Sequence, residues 1–483
     1  MENSCYPDTL QNHPAITAIP EMGRAALDLV AEYYDTLPAR AIVRPTTSAG
    51  LRRILDEPAP PSGLPFKDLL ATVRDVVMEF SRHNGHPRFF GYVSSPGLPV
   101  AAMGSMIAAA LNINVTCWRS GPAATEMELL CIRWLKEMLA FPADGAGLLT
   151  SGGSMANFAG IAAARSAKAR GNVVRDGMSG APMRLYASAE AHFSIRKAAA
   201  MLGIGAANLR TVKTGPDLRM DLADLDRLVR QDRDAGCLPF CVVASAGTAG
   251  TGTVDPIGAI ADLARTHNLW LHVDGAYGGF AALAPSARAF FLRISEADSI
   301  ALDPHKWLYL PVGCGCVLYR DPAAARAAFS DSAEYTRVVG LEHDEAFAFW
   351  DYGPELSRPF RALDLWLLLK SVGTRAIAEA IEENIACAKY FAELVTATDD
   401  FEMLAPVDLS IFCFRYHPRG FEGDLDALNE RVMLALQRGG SSYLSNARVH
   451  GAFALRGCVL NYRTTKRDME ILLEDLRQAV RSM

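Results

Sequence analysis

The feature that most restricts the fold is an alternation of short apolar segments with helix-length amphipathic segments in the middle of the chain. Short apolar runs predict strands at Arg184–Ser188, Pro239–Ser245, Leu269–Val273, Asp298–Leu302 and Cys314–Tyr319. Periodic segments predict helices around Ser154–Ala169, Phe193–Leu202 and Ile257–His267. Strands that alternate with helices predict an α/β layer with a largely parallel sheet, in which ligands bind beyond the carboxyl ends of the strands.

The N-terminal part of the chain carries two amphipathic helical patterns. Apolar residues recur at three- and four-residue spacing from Met22 to Leu37 and again from Leu69 to Phe80. Two such helices make a poor domain alone, because their apolar faces need a partner surface. We therefore predict that residues 1–84 form a helical dimerisation segment, packed across the interface of a homodimer.

The chain after Gly373 follows a different pattern. A long helix is predicted first, and the later elements are strands near Ile411–Tyr416 and Ala454–Asn461 and helices near Leu425–Gln437 and Lys466–Val480. This order predicts a C-terminal α+β small domain over residues 373–483, which leaves residues 85–372 as the large α/β domain.

The composition excludes several classes of function. The chain has 48 basic and 54 acidic residues and a net charge of −6, whereas a general nucleic-acid binder would carry a basic excess. The longest apolar stretch, Pro99–Leu111, is too short to span a membrane. The ten cysteines form no C-x-x-C pair, so no metal site is predicted. Residues 1–10 lack a signal-peptide pattern, and we expect a cytoplasmic protein with reduced cysteines.

A glycine- and serine-rich segment, Thr150–Asn157, directly precedes an alanine-rich helical pattern. Glycine lets the backbone approach an anion, and the N–H groups at a helix start favour phosphate. Gly153 and Ser154 are therefore candidates for a phosphate loop, although a simple capped turn would have the same composition. The segment is not a P-loop, because no G-x-x-x-x-G-K-[ST] sequence is present.

A second glycine-rich segment, Gly247–Pro256, follows the strand predicted to end at Ser245. Its glycines have the order G-x-x-G-x-G rather than the dinucleotide-binding order G-x-G-x-x-G. Asp274 nevertheless lies 22 residues after Gly252, where a ribose-binding acid would stand. A dinucleotide-dependent dehydrogenase is therefore kept as an alternative to a glycine-rich loop that lines some other site.

Two ionisable residues follow predicted strands. Asp274 directly follows an apolar run, and an acid buried there needs a cationic or protonated partner. The alternative is that Asp274 is an ordinary turn residue at the end of a strand. Lys306 lies in the sequence Asp303-Pro304-His305-Lys306-Trp307. A lysine in apolar surroundings can lose its proton and form a Schiff base with a carbonyl compound, although a His-Lys pair alone is weak support.

The order of these segments, from the phosphate loop through the glycine-rich loop to Asp274 and Lys306, resembles that of the fold-type I pyridoxal-phosphate enzymes. More specifically, the chain resembles the group II pyridoxal-phosphate-dependent decarboxylases, the family of aromatic L-amino acid decarboxylase. The similarity runs from about Met22 to the C-terminus. It is carried by His86–Tyr92, Ala189–His192, His272–Asp274, Asp303–Trp307 and Asn461–Thr465.

The resemblance implies roles for three catalytic residues. Lys306 matches the lysine that holds pyridoxal 5′-phosphate as a Schiff base, and Asp274 matches the acid that pairs with the pyridine nitrogen. His192 matches the imidazole stacked on the cofactor ring. The implied reaction is the decarboxylation of an L-amino acid, with an aromatic side chain as the first choice, to an amine and carbon dioxide.

The resemblance also implies a set of cofactor contacts. Besides the three catalytic residues, this set comprises Gly153, Ser154, Thr248, Ala276 and His305. Ala249 stands where relatives often carry a hydroxyl residue, for which Thr248 or Thr251 would compensate. Asp303 stands where some relatives carry asparagine near the phosphate, and since its charge would repel phosphate we expect no direct contact there.

Tyr335 matches the tyrosine that donates a proton to the α-carbon from a loop reaching the neighbouring subunit's site. It lies 29 residues after Lys306, as the family's spacing implies, although a surface tyrosine is the alternative. Related aldehyde synthases often carry phenylalanine at this position or asparagine in place of the stacking histidine. Tyr335 and His192 therefore favour an amine product over an aldehyde.

Hand alignment implies a substrate wall that is only partly aromatic. It comprises Tyr92, Val93, Asn114, Thr116 and Trp118. Asn114 and Thr116 are more polar than an aromatic side chain requires, so the alignment leaves the substrate open between an aromatic and a non-aromatic amino acid. We predict a homodimeric decarboxylase, and its rivals are an aldehyde synthase, a dehydrogenase and a catalytically silent binding protein.

Overall fold

The large sheet has seven strands, and their carboxyl ends position the candidate site. The computed structural model of the protein describes residues 14–331 and 345–483. The strands are β1 (Ala146–Thr150), β2 (Met183–Ser188), β3 (Leu209–Val212), β4 (Leu238–Ser245), β5 (Trp270–Gly275), β6 (Ser299–Leu302) and β7 (Gly315–Tyr319). They lie in the order β1-β7-β6-β5-β4-β2-β3. Strands β2 to β6 are mutually parallel and β7 is antiparallel to β1 and β6, which confirms the predicted α/β class with a mostly parallel sheet.

The sequence pattern identified five of these strands but missed β1 and β3. Strand β3 is an edge strand of four residues with Arg210 and Thr211 in its middle, so its apolar content is low. Strand β1 contains Gly147, at which a Cβ would lie 2.8 Å from Cδ2 of Leu318 in β7. Close packing therefore requires glycine there, and glycine weakens the strand pattern in the sequence.

Sixteen α-helices are described in residues 14–331 and 345–483, and they cover the predicted helices except that the one predicted from Leu69 to Phe80 continues as a π-helix over Val73–Met78. They are α1 (Pro14–Thr17), α2 (Ile19–Thr36), α3 (Ser48–Leu55), α4 (Phe66–Thr72), α5 (Pro99–Leu111), α6 (Pro122–Met138), α7 (Gly153–Lys168), α8 (Val173–Asp176), α9 (Phe193–Met201), α10 (Leu222–Asp234), α11 (Ile257–Thr266), α12 (Pro304–Trp307), α13 (Pro322–Phe329), α14 (Arg361–Thr396), α15 (Leu425–Gly439) and α16 (Lys466–Arg481). None of those described is long and apolar enough to cross a membrane.

Helix α7 packs across strands β4 to β7 through small side chains. Its buried face includes Ala156, Ala159, Gly160 and Ala163. Small residues let a helix lie close to a sheet, so the N-terminus of α7 reaches the loops that follow β5 and β6. At Gly153, the first residue of α7, a Cβ would lie 2.7 Å from the Cβ of Ala276 beyond β5.

A second sheet forms in the C-terminal part of the chain. Its strands are β8 (Phe401–Met403), β9 (Ile411–Tyr416), β10 (Ser445–Val449) and β11 (Ala452–Cys458), in the order β10-β11-β9-β8 and all antiparallel. A phenylalanine-rich core, including Phe391, Phe412 and Phe414, packs it against α14, α15 and α16. Helix α14 is broken by a kink at Gly373, where the C-terminal unit was predicted to begin, because the φ of 80° and ψ of 156° of that residue are not helical. The division into three units stays a prediction.

Candidate active site

A cavity of about 730 Å³ lies at the carboxyl ends of β4, β5 and β6. Nine of the residues singled out in the sequence line it: Tyr92, Val93, Gly153, Ser154, His192, Asp274, Ala276, His305 and Lys306. They come from several separate segments of the chain. The parallel strands bring these segments together because all of their carboxyl ends meet at one edge of the sheet.

The glycine- and serine-rich segment forms the N-terminus of α7, as predicted for a phosphate loop. The N–H groups in the first turn of a helix have no partner within the helix and favour an anion. Gly153 is required here, because a Cβ would lie 2.7 Å from both the Cβ of Ala276 and Oδ2 of Asp303. Ser154 and Gly153 both line the cavity, so the helix start is open to a ligand.

Lys306 lies in α12, a single helical turn that directly follows β6. Its Nζ is 2.9 Å from Oδ2 of Asp303, and the Asp303 side chain is buried. The sequence pattern pointed to Asp303 only as a neighbour of phosphate and gave no sign of this ion pair. The neighbouring His305 has its Nδ1 2.8 Å from the carbonyl oxygen of Cys314, which fixes the imidazole ring beside Gly152.

Asp274 is the penultimate residue of β5 and is only 7% exposed. Its Oδ1 accepts a hydrogen bond from the backbone N–H of Ala276 at 3.2 Å, and its Oδ2 accepts one from Nδ2 of Asn157 at 3.0 Å. No cationic side chain forms an ion pair with it in the described part of the chain. Asn157 lies one helical turn into α7, within the predicted phosphate-loop segment. No role was predicted for it, because no feature of the sequence distinguishes this asparagine.

His192 caps the N-terminus of α9. Its Nδ1 accepts a hydrogen bond from the backbone N–H of Ser194 at 3.3 Å and lies 2.8 Å from the hydroxyl of Ser194. Burial lowers the pKa of His192, so that the neutral imidazole is favoured. A neutral ring held by its cap is suited to stacking on a planar ligand in the cavity.

The structure does not bring Thr248 to the cavity wall. The hydroxyl of Thr248 is buried and lies 3.0 Å from that of Thr251, which in turn lies 2.9 Å from that of Thr253. Ala249 and Gly250 line the cavity instead. The glycine-rich segment therefore contributes backbone to the wall, while its threonine hydroxyls stabilise the loop from within.

The predicted substrate wall divides into two parts. Tyr92 and Val93 line the cavity, but Asn114, Thr116 and Trp118 do not. These three residues instead form hydrogen bonds with residues 347–358. The backbone N–H of Arg358 donates to Oδ1 of Asn114 at 2.9 Å, and the backbone N–H of Phe349 donates to the carbonyl of Thr116 at 3.0 Å. The backbone N–H of Trp118 donates to the carbonyl of Phe347 at 3.0 Å. Tyr335, the predicted proton donor, lies outside the described residues.

The C-terminal sheet supplies a wall that the sequence pattern did not reveal. Ser445, Asn446, Ala447 and Arg448 of β10 and Arg456 of β11 line the cavity. Arg456 is buried, and its guanidinium donates to the carbonyls of Ala249 at 2.8 Å and Tyr92 at 2.7 Å. An arginine inside an apolar strand is costly to bury without such partners. Its presence in that strand was the sequence signal that could have indicated a role for Arg456.

The described residues include no group of three or more His, Cys, Asp or Glu side chains that could hold a metal ion. The site instead offers an amine, a buried carboxylate, a neutral imidazole and a helix N-terminus. Together these can bind a planar, phosphorylated carbonyl compound covalently and stabilise positive charge on it.

Comparisons with known proteins agree with this chemistry. Residues 49–417 match the model of a family described as the pyridoxal-dependent decarboxylase conserved domain. An aromatic-L-amino-acid decarboxylase from Bacillus atrophaeus is 33% identical over 451 residues, which cover 93% of this chain and 92% of the relative. Oryza sativa TDC, solved with PLP and tryptamine, has a TM-score of 0.91 at 29% identity and covers 99% of both chains. Rhodiola rosea 4-hydroxyphenylacetaldehyde synthase has a TM-score of 0.87 at 28% identity and covers 99% of this chain and 100% of that one.

Proposed function

Because the chain belongs to the family of pyridoxal-dependent decarboxylases, we propose that it converts an aromatic L-amino acid into the corresponding amine and carbon dioxide. Its cofactor is pyridoxal 5′-phosphate, which, when bound, supplies an electron sink for the bond to the departing carboxylate. The observation that carries the proposal is a buried carboxylate, Asp274, that lacks a cationic partner among the described side chains and shares a cavity with the amine of Lys306.

The residues of the cavity fit this cofactor. A carboxylate as buried as that of Asp274 needs a positive charge nearby, and a protonated pyridine nitrogen provides one. The helix start at Gly153 and Ser154 offers N–H groups to a phosphate. The small residues Gly153 and Ala276 pack closely between Asp274 and the start of α7, which leaves room for a flat ring in the cavity.

Each side chain then has a defined task. Asp303 holds the amine of Lys306 at the cavity, where that amine would bind the aldehyde of the cofactor. Asp274 would keep a proton on the ring nitrogen, and His192 would cover the ring and exclude water from it. Arg456 fixes Tyr92 and the glycine-rich loop around the substrate.

The aromatic substrate is proposed from relatives. Similar proteins include the aromatic-L-amino-acid decarboxylase of Bacillus atrophaeus and tryptophan decarboxylase 1 of Oryza sativa, the latter 32% identical over 453 residues. The second candidate function is a decarboxylation-dependent aldehyde synthase, because phenylacetaldehyde synthase of Petunia hybrida is also 29% identical over 456 residues. His192, together with Tyr335 as the family's proton donor, favours the amine.

We further propose a homodimer. In the single chain, the N-terminal helices expose large apolar side chains, among them Ile19, Leu27, Leu69, Val73 and Val77. A second copy of the chain would bury them. The position of Asn114, Thr116 and Trp118 outside this chain's own cavity is what a site shared between two subunits would produce. Sedimentation velocity tests this, since a monomer at micromolar concentration would contradict it.

A cytoplasmic location is proposed from the cysteines. The nine described cysteines are all free, and most are buried. Reduced cysteines are typical of the cytoplasm, whereas secreted proteins tend to pair them. Fractionation of cells that produce the protein would test this, and recovery from an extracellular fraction would contradict it.

The experiment for the reaction is a product screen. The protein, supplied with pyridoxal phosphate, is incubated with each of the twenty L-amino acids, and amines, aldehydes and hydrogen peroxide are measured. We expect amine from one or more aromatic amino acids, loss of activity in Lys306→Ala, and retention in Lys168→Ala, a control at a half-buried lysine that does not line the cavity. Aldehyde and peroxide without amine would favour the synthase, and no product from any amino acid would refute the decarboxylase.

A further inference from the structure

A continuous chain of buried hydrogen bonds runs from the cavity into the interior of the sheet. Oδ1 of Asn157 lies 2.9 Å from Nε2 of His272, Nδ1 of His272 lies 2.8 Å from the hydroxyl of Ser299, and Nε1 of Trp270 lies 2.8 Å from that same hydroxyl. Asn157, His272, Ser299 and Trp270 are each at most 4% exposed. The fold thus places four buried polar groups in the space behind Asp274.

The direction of each bond in this chain follows from the carboxylate of Asp274 at one end and from the neutral state of the His272 ring. The indole of Trp270 can only donate, and the carboxylate of Asp274 can only accept. Nδ2 of Asn157 therefore faces Asp274, and its Oδ1 accepts from Nε2–H of His272. Burial lowers the pKa of His272 to about 4, so the ring is neutral and its Nδ1 accepts from the hydroxyl of Ser299.

The same amide also controls a second branch. Nδ2 of Asn157 carries two hydrogens, and the second is donated to the hydroxyl of Ser194 at 3.0 Å. That hydroxyl then donates to Nδ1 of His192 at 2.8 Å. A neutral imidazole that accepts at Nδ1 must carry its proton on Nε2, and the backbone N–H of Ser194 favours the same tautomer, so Asn157 acts on His192 by orienting the hydroxyl of Ser194.

The backbone makes room for this arrangement. At Gly160, in the interior of α7, a Cβ would lie 2.5 Å from Cε1 of His272. Glycine inside a helix is destabilising relative to alanine. It stands here at the point where the imidazole ring passes against the helix.

We propose that Asn157 is a positioning residue that holds both Asp274 and His192 toward the cofactor, and that His272, Ser299 and Trp270 fix its orientation. The inference rests on the proposed function, because it assigns Asp274 and His192 to different tasks on one cofactor ring. Without this amide, the carboxylate of Asp274 would lose a donor, and so would the hydroxyl of Ser194 that contacts His192.

The test uses holoenzyme reconstituted with pyridoxal phosphate labelled with ¹⁵N in the ring. Asn157→Leu removes both donors at nearly constant volume. We expect the dissociation constant of the cofactor to rise by about tenfold to a hundredfold, the size of a lost hydrogen bond to a charged group. The ring ¹⁵N chemical shift, measured by solid-state NMR, should move from the protonated toward the unprotonated value.

Asn429→Leu is the matched control. Asn429 is another fully buried asparagine whose amide makes three hydrogen bonds, with Tyr416 and Leu425, in the C-terminal sheet region. It should lower the melting temperature while leaving the ring ¹⁵N shift unchanged. Ser194→Ala should remove only the hydroxyl contact with Nδ1 of His192 and keep the ring nitrogen protonated, which separates the two branches.

Histidine tautomers in the unmutated protein give a test that does not depend on a variant folding. With ¹⁵N-labelled histidine, and with His272→Gln for assignment, His272 should carry its proton on Nε2. A proton on Nδ1, or Asn157→Leu with unchanged affinity and a protonated ring nitrogen, would overturn the proposal. Failure of the unmutated protein to bind pyridoxal phosphate would instead overturn the proposed function.

Discussion

Asp274→Asn is the substitution that tests the electron sink most specifically. It keeps the shape of the side chain and removes its charge, which is required to hold a proton on the ring nitrogen. Preorganised charges of this kind are typically worth about 3 kcal/mol in the transition state, or roughly 10²-fold to 10³-fold in turnover. We expect a loss of turnover of at least about 10²-fold.

The local structure adds a second cost. The two carboxylate oxygens of Asp274 accept from Nδ2 of Asn157 and from the backbone N–H of Ala276. An asparagine has one acceptor oxygen, so one of these buried donors would face an NH₂ group and lose its partner. An unsatisfied buried donor costs about 1–3 kcal/mol, which should appear as lower stability and weaker cofactor binding.

Asp255→Asn is the matched control for this second cost. Asp255 is also buried and accepts from two backbone N–H groups, those of Ser245 and Met220, both at 2.8 Å, but it does not line the cavity. Amine formation is measured at saturating cofactor for both variants, and unfolding is followed in urea. Asp274→Asn with unchanged turnover and retained cofactor would refute the reasoning and reduce Asp274 to a residue that ends a strand.

Three further predictions concern other parts of the chain. Tyr335→Phe should raise the aldehyde-to-amine ratio under air, because the α-carbon would lose its proton donor; an unchanged ratio would remove Tyr335 from the mechanism. Arg358→Met should cost about 3–5 kcal/mol in urea unfolding, since it leaves the fully buried Glu128 without its ion-pair partner, and a cost below about 1 kcal/mol would contradict this. Burial raises the pKa of Asp364 from 3.8 to about 6, so the stability contributed by its protonated form is lost as the pH rises from about 4 through about 6. Asp364→Asn should therefore flatten the curve of unfolding free energy against pH in that range, and an unaltered curve would show that Asp364 does not titrate there.

The parts of the site that could be predicted lie at the ends of strands. Asp274 and Lys306 each follow a clear apolar run, whereas the α7 loop was identified by its glycine and serine residues, since the strand before it was not predicted. Parallel strands bring such segments to one edge of the sheet, and the resemblance of their order to that of the fold-type I enzymes placed them in one site. The fold class followed from the same alternation of strands and helices.

The parts that could not be predicted depend on packing between distant segments. Arg456 reaches the carbonyl of Ala249 across 207 positions of sequence, and no periodicity records such a contact. Asn157 acquires its role only because α7 lies close enough to β5 for its amide to meet His272. Thr248 was assigned to the cofactor to compensate for Ala249, which stands where relatives often carry a hydroxyl residue, but its side chain turns inward to Thr251.

The measurement that tests the central claim most directly is reduction of the purified protein with borohydride. We predict a protein that gains a visible absorption band with pyridoxal phosphate and loses it on reduction. Digestion and mass spectrometry should then find the pyridoxyl group on the peptide that contains Lys306. A protein that gains no band with added cofactor, or a pyridoxyl group fixed to a different lysine, would contradict the assignment of Lys306 as the residue that holds the cofactor.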